Sequence, residues 1–113
     1  MKIFTDTSLD ATRMASAFAA LGSEQRLAVL RCLVRAGEAG LRIGELGERV
    51  GITGSTLTHH LRTLATAGLI TQTKEGRAIQ CAVSFPNINA LSEYLLNECC
   101  ADVCAAPEAA NND

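Results

Sequence analysis

The chain has 113 residues, a formal net charge of −2, 48% hydrophobic residues and five cysteines. That length is one domain's worth of chain, apolar enough to bury a core without staples and to exclude a disordered body. An odd cysteine count argues against a disulfide framework, and no apolar run approaches the roughly 18 residues of a membrane span.

The net charge conceals a gradient. Residues 1–52 carry seven Lys/Arg against six Asp/Glu; residues 53–85 carry Arg62, Lys74 and Arg77 against Glu75, with two histidines. Residues 86–113 carry five acids and no base. An acidic end can hide a basic face from the whole-chain average. The opening "MKIFTDTSLD" has acids and no apolar h-region, so the expected location is cytoplasmic, where thiols stay reduced.

The first helix is expected from about Ser8 to Ala20, with Met14 and Phe18 four apart on one face, and Gly22 breaks it. "SEQRLAVLRCLVRAG" restarts a helix between an N-cap, Ser23, and a glycine stop, Gly37, with Leu27, Leu30, Leu33 and Val34 as its apolar stripe. A short helix follows from about Ile43 to Val50, with Ile43, Leu46 and Val50 on one side. "GITGS" is a tight turn. "STLTHHLRTLATAG" is the next helix, closed by Gly68.

The period then changes. "LITQTKEGRAIQCAVSF" is rich in β-formers, and its polar centre "KEG" suits a hairpin loop. Pro86 can open a last helix, "NINALSEYLLNECC", with Ile88, Leu91, Leu95 and Cys99 along one stripe. From Ala105 the composition is Ala, Pro, Asn and acid. The expected division is therefore one domain over 1–104 and a flexible tail over 105–113. The fold class is mainly α with a small β-hairpin: a winged helix-turn-helix whose fourth helix would enter the major groove.

At about 100° per residue, Leu57, Leu61 and Leu64 cluster on one side of the fourth helix. Ser55, His59 and Arg62 lie opposite, with Thr58 beside them and Thr56 in the first turn. Short hydroxyl side chains and a cation can reach bases or phosphates, although a solvated polar face would look the same. The short helix before and the hairpin after favour DNA. Lys74 and Arg77 bracket the hairpin tip, where a cation pair can straddle the minor groove or its phosphates. His60 points towards the leucines and reads as a hydrogen-bonded histidine on the core side. Adjacent histidines cannot face one ligand from a helix, so "HH" is not a metal motif.

From about Met14 to Leu96 the chain resembles the ArsR/SmtB family of metal- and metalloid-sensing repressors. "AALGSEQRLAVLRCL" is similar to that family's second-helix entry. "GITGSTLTHHLRTLATAGLITQTKEGRAIQCAVS" is similar to its recognition helix and wing. The resemblance implies a homodimer formed by the first and last helices, bound to palindromic double-stranded operator DNA and released by an inducer. It implies no membrane, no protein substrate and no obligatory cofactor. The family's Cys-x-Cys site at the start of the third helix is absent: Arg42 and Gly44 of "LRIGELGE" stand there. Its last-helix zinc site is absent too, for want of any histidine in that helix.

Three thiols remain in "NECCADVC", residues 97–104. Cys100 and Cys104 share a helical face, and Cys99 is rotated by about 100° from Cys100. Convergence on one ion needs the helix to end or unwind near Cys100. Three thiolates without imidazole form a soft site, and zinc normally takes four ligands in a closed structural site. Trivalent arsenic or antimony is satisfied by three sulfurs. "ECCADVC" looks like the family's arsenite-responsive variant with thiols at the end of the last helix. The expected metalloid ligands are Cys99, Cys100 and Cys104, with arsenite or antimonite as inducer. A trivalent organoarsenical or thiol oxidation is the alternative input. Cys99 could instead fill the core or a dimer seam, and Cys32 and Cys81 read as structural. An enzyme is not expected, because no acid partner or glycine-rich loop orients a Cys/His pair.

Overall fold

The computed structural model describes residues 10–103. The described residues form five α-helices and a small antiparallel sheet in the order α1 (Asp10–Ala20), α2 (Glu24–Ala36), β1 (Leu41–Arg42), α3 (Ile43–Val50), α4 (Gly54–Thr66), β2 (Ile70–Glu75), β3 (Ala78–Val83) and α5 (Phe85–Leu96). A single 3-10 turn, Ala101–Val103, follows α5. Among the described residues no helix is long and apolar enough to cross a membrane.

Local chemistry sets the helix ends. The Ser23 hydroxyl accepts from the Arg26 N–H at 3.2 Å, satisfying one of the orphan donors at the start of α2. Glu24 in the first turn and Arg35 in the last complement the helix dipole. Gly51 ends α3 in the left-handed region, at φ 74°, and its N–H closes on the Gly47 carbonyl at 2.8 Å. Pro86 sits in the first turn of α5, where its missing N–H has no intrahelical partner to lose.

The sheet has three strands in the order β1-β3-β2, one more than the expected hairpin. Leu41 pairs with Cys81 and Arg42 with Gln80. Two residues are too few to show an alternation, so β1 has no periodic signature. The connection into it is tight: a Cβ on Gly40, at φ 74°, would run into the Cys81 carbonyl. β2 and β3 pair from Ile70↔Val83 to Glu75↔Ala78. The hairpin therefore turns through Gly76 and Arg77, and Lys74 and Glu75, expected in the loop, belong to β2.

The core is built on Met14, Val29, Leu30, Leu33, Leu46, Leu57, Leu61, Leu64, Leu69, Ile70, Cys81 and Leu91. Two expected stripes need correction. On α2, Leu27 and Val34 are 42% and 39% exposed, and Val29 takes the inward place with Leu30 and Leu33. On α5, Ile88 and Leu91 pack inward, but Leu95 is 67% exposed and Cys99 lies beyond the helix end. Cys99 therefore fills no core among the described residues.

Asn87 is fully buried at the start of α5 and donates from Nδ2 to the Gly68 carbonyl at 2.7 Å. That bond fixes α5 to the turn that ends α4.

Candidate nucleic-acid interface

The α4 helix is divided as its sequence requires. Leu57, Leu61 and Leu64 are buried at 3% exposure or less. Ser55, Thr56, Thr58, His59 and Arg62 are all exposed. No side chain caps α4, since Thr53 makes no capping bond. Its first N–H groups point out of the helix end, beside Ser55 and Thr56. Thr58 donates its hydroxyl to the Gly54 carbonyl at 3.3 Å, which holds that side chain against the helix and leaves its oxygen lone pairs outward.

Arg62 has no ion pair among the described residues, where the one salt bridge joins Arg49 to Glu45 at 2.7 Å on α3. Lys74 and Arg77 are exposed on the hairpin, Lys74 one pair back from the end of β2 and Arg77 in the turn. Among the described residues, three cations without carboxylate partners thus stand on α4 and the wing. That is an arrangement suited to a polyanion.

The residue that holds α4 in place is His60. It is 8% exposed, as expected for a core-side histidine. Its Nε2 lies 2.9 Å from Gln25 Oε1, and its Nδ1 lies 3.4 Å from Arg26 Nη1. A guanidinium can only donate, so Nδ1 accepts and the ring proton sits on Nε2, donating to Gln25. Arg26 also donates from Nε to the Ala20 carbonyl at 2.6 Å. One guanidinium therefore joins the end of α1, the start of α2 and the middle of α4. Burial first, then the Arg26 charge and His59, lower the pKa of His60. Gln25 and Arg26 carry no sequence signal for this role, because the contact spans 34 and 35 residues of chain.

The thiols lie elsewhere. α5 stops at Leu96, and Glu98 and Cys100 adopt positive φ of 65° and 64°. This unwinding brings Cys99 Sγ within 3.4 Å of Cys100 Sγ, both exposed. A hydrogen bond with Cys99, then the Cys99 charge, raises the pKa of Cys100. Cys104, the third expected ligand, lies outside the described residues. Among the described residues no group of three or more His, Cys, Asp or Glu could hold a metal ion. Cys81 is buried in the core and Cys32 is half-buried against it, as structural cysteines would be.

Comparison with known proteins agrees with this layout. A family model described as a helix-turn-helix domain matches residues 21–73. An uncharacterized HTH-type transcriptional regulator, YceK of Bacillus subtilis (strain 168), is 41% identical over 63 residues, 56% of this chain. The match spans 62% of that relative's length. The solved structure of an ArsR-like transcriptional regulator from Rhodococcus sp. RHA1 superposes with a TM-score of 0.68 at 28% identity, covering 82% of this chain and 84% of that one. The homodimeric winged helix-turn-helix DNA-binding domain of Mb0332 from Mycobacterium bovis, a possible ArsR-family regulator, superposes with a TM-score of 0.63 at 21% identity, covering 85% of this chain and 84% of its own. All three are described as transcriptional regulators, not as enzymes. The chain therefore carries a helix-turn-helix domain over residues 21–73, set in a winged-helix fold shared with a solved ArsR-like regulator, and that likeness supports the ArsR/SmtB resemblance of its sequence.

Proposed function

We propose that this protein is a homodimeric transcriptional repressor that reads operator DNA with α4 and the β2–β3 wing and is released by trivalent arsenic bound at the thiols beyond α5. The observation that carries the DNA reading is the division of α4: an uncapped N-terminus and five exposed polar residues on one side, three buried leucines on the other. Ser55, Thr56, Thr58 and His59 would meet base edges or phosphates, and Arg62, Lys74 and Arg77 would neutralise phosphates.

Dimerisation is supported by the apolar side chains left outside at the end of α5. Tyr94, Leu95, Leu96 and Val103 are 39%, 67%, 67% and 56% exposed. Large apolar side chains left exposed together near one helix end mark an interaction site. α5 packs on α1, so the two terminal helices form one edge of the subunit, and a second copy would cover it.

The inducer reading rests on the Cys99–Cys100 sulfur pair at 3.4 Å, placed where α5 unwinds beside that apolar edge. Two sulfurs already approach each other, and Cys104, four residues on, would supply the third. In such a site each thiol proton leaves as water with a hydroxide of arsenite, giving three As–S bonds. The same pair favours a second input, a trivalent organoarsenical, which needs only two thiols. The test is fluorescence anisotropy on operator duplex across a salt series, followed by titration with arsenite, antimonite, zinc and cadmium. Salt-dependent binding released by the trivalent metalloids is expected. Binding that ignores salt, or release by zinc alone, overturns the reading.

A further inference from the structure

A cleft of about 600 Å³ opens between the end of α1, the start of α2 and the rear half of α4, and the leucine stripe and the thiols do not reach it. Its size falls within the range typical of small-molecule sites, roughly 300–1,000 Å³. We infer that it binds a small organic carboxylate with an apolar body. Three cationic or titratable side chains, Arg26, His59 and Arg62, line it, and among the described residues no carboxylate does. Arg26 is held in advance by its bonds to the Ala20 carbonyl and to His60 Nδ1, which leaves Nη2 without a hydrogen bond to any described residue. A guanidinium fixed in this way loses little entropy on donating from Nη2 to a carboxylate oxygen, a charge-assisted hydrogen bond. Arg62, with no ion pair among the described residues, supplies a second positive group.

The remaining walls include methyl groups of Ala19, which is exposed, and Ala67, which is half-buried. Their shortness is what leaves the space. A bare phosphate, free or in a DNA backbone, would occupy a small part of that volume and leave those methyls against water. A ligand with an apolar body attached to its charge removes them from water. The consequence for regulation rests on the DNA reading above. Such a ligand would neutralise Arg62 and cover His59, two residues of the α4 reading face, and would load the guanidinium that seats α4 through His60. Its occupancy would oppose operator binding, independently of the thiols.

The experiment uses the full chain, labelled with ¹⁵N, without DNA. Sodium benzoate, benzamide and sodium phosphate are titrated separately while amide signals are followed. Benzoate should move the signals of Ala20, Arg26, Arg62 and Ala67 saturably, and benzamide, which lacks the charge, should bind about tenfold more weakly or worse. Phosphate, which lacks the apolar body, should also bind at least about tenfold more weakly. Thr66→Trp, on the exposed rim of the cleft, should abolish the benzoate shifts while core signals such as Leu33 and Leu46 stay in place. Equal binding of benzamide or phosphate, or benzoate shifts that persist unchanged in Thr66→Trp, overturns the inference. The titration holds no DNA, so its failure leaves the operator reading untouched, and a failure of operator binding leaves the titration result standing. With operator present, saturating benzoate should weaken DNA binding, and an unchanged affinity overturns the regulatory consequence.

Discussion

Gln25 and His60 stand 35 residues apart in the chain and meet at 2.9 Å, so the start of α2 holds the middle of the helix that presents Arg62. The proton on His60 Nε2 is part of that bond, and the bare Nδ1 accepts from Arg26. A second ring proton would turn Nδ1 from an acceptor into a donor facing a guanidinium. The two ends of the ring thus serve α2 only while the imidazole is neutral.

A pH dependence of stability follows. The folded chain binds the His60 proton less readily than the unfolded chain, whose histidine titrates near 6.5. Stability is then fully present above that value and is lost as pH falls through it towards the lower folded value. Urea midpoints should be level above about pH 7 and decline below 6.5. In His60→Phe, which carries no ring proton, that decline should shrink. A decline of the same depth in the variant would place its origin elsewhere.

Gly40 and Gly51 separate two reasons for glycine. Both have φ of 74°, but a Cβ on Gly51 meets nothing within 4 Å, whereas one on Gly40 strikes the Cys81 carbonyl and comes 2.9 Å from Ala82 Cβ. Gly51→Ala should cost about 1–2 kcal/mol, the price of left-handed backbone for an L residue. Gly40→Ala should cost clearly more, since β1 must also move off β3. Equal losses in denaturant unfolding would mean that the β1–β3 contact yields freely.

For the proposed DNA contacts, Arg62→Ala and Arg77→Ala should each weaken operator binding and reduce its salt slope by about two, one phosphate contact from each subunit of the dimer. Ser55→Ala should weaken binding with little change in slope, because a hydroxyl releases no counterion. Plots of log Kd against log salt distinguish the two patterns. Arginine variants that keep the parental slope would remove Arg62 and Arg77 from the interface.

The apolar edge of α5 makes its own claim. Leu95→Glu places a charge on a side chain that is 67% exposed in the single chain, so the subunit's fold should tolerate it. At a seam between copies the same charge would be buried without a partner, at several kcal/mol. Sedimentation at micromolar concentration should show the parent as a dimer and Leu95→Glu as a folded monomer. A parent that sediments as a monomer removes the seam.

What could be read from the residues was whatever repeats within one element. The Leu57, Leu61, Leu64 stripe on α4 fixed which side of that helix faces inward, and hence which of Ser55, Thr58, His59 and Arg62 faces outward. Ser23 and Gly37 marked both ends of α2 because capping chemistry is local. What escaped was set by distant neighbours. Leu27 and Val34 have the same spacing as core residues, and the packing of other elements against α2 leaves them outside. β1 exists because β3 offers it an edge. The Arg26–His60–Gln25 linkage and the Asn87 bond to Gly68 join segments with no shared pattern.

The thiols give the sharpest separation between inputs. Cys99 and Cys100 are hydrogen-bonded sulfur to sulfur, and that bond, followed by the Cys99 charge, raises the pKa of Cys100. Removing the side chain's hydrogen bond and charge removes the cause, so in Cys99→Ala the Cys100 thiolate fraction at pH 8 should rise and iodoacetamide should modify Cys100 faster than in the parent. Phenylarsine oxide bridges two sulfurs and should protect Cys99 and Cys100 together. Either single serine variant should lose that protection. Arsenite takes three sulfurs, so Cys104→Ser should keep protection by phenylarsine oxide but lose arsenite-driven release from the operator. Cys32→Ser, in a half-buried cysteine on α2, should alter neither. If Cys104→Ser is released at the parental arsenite concentration, the pair alone is the sensor and the three-thiol site is wrong. If Cys99→Ser and Cys100→Ser are released as well, the metalloid is sensed at some other group.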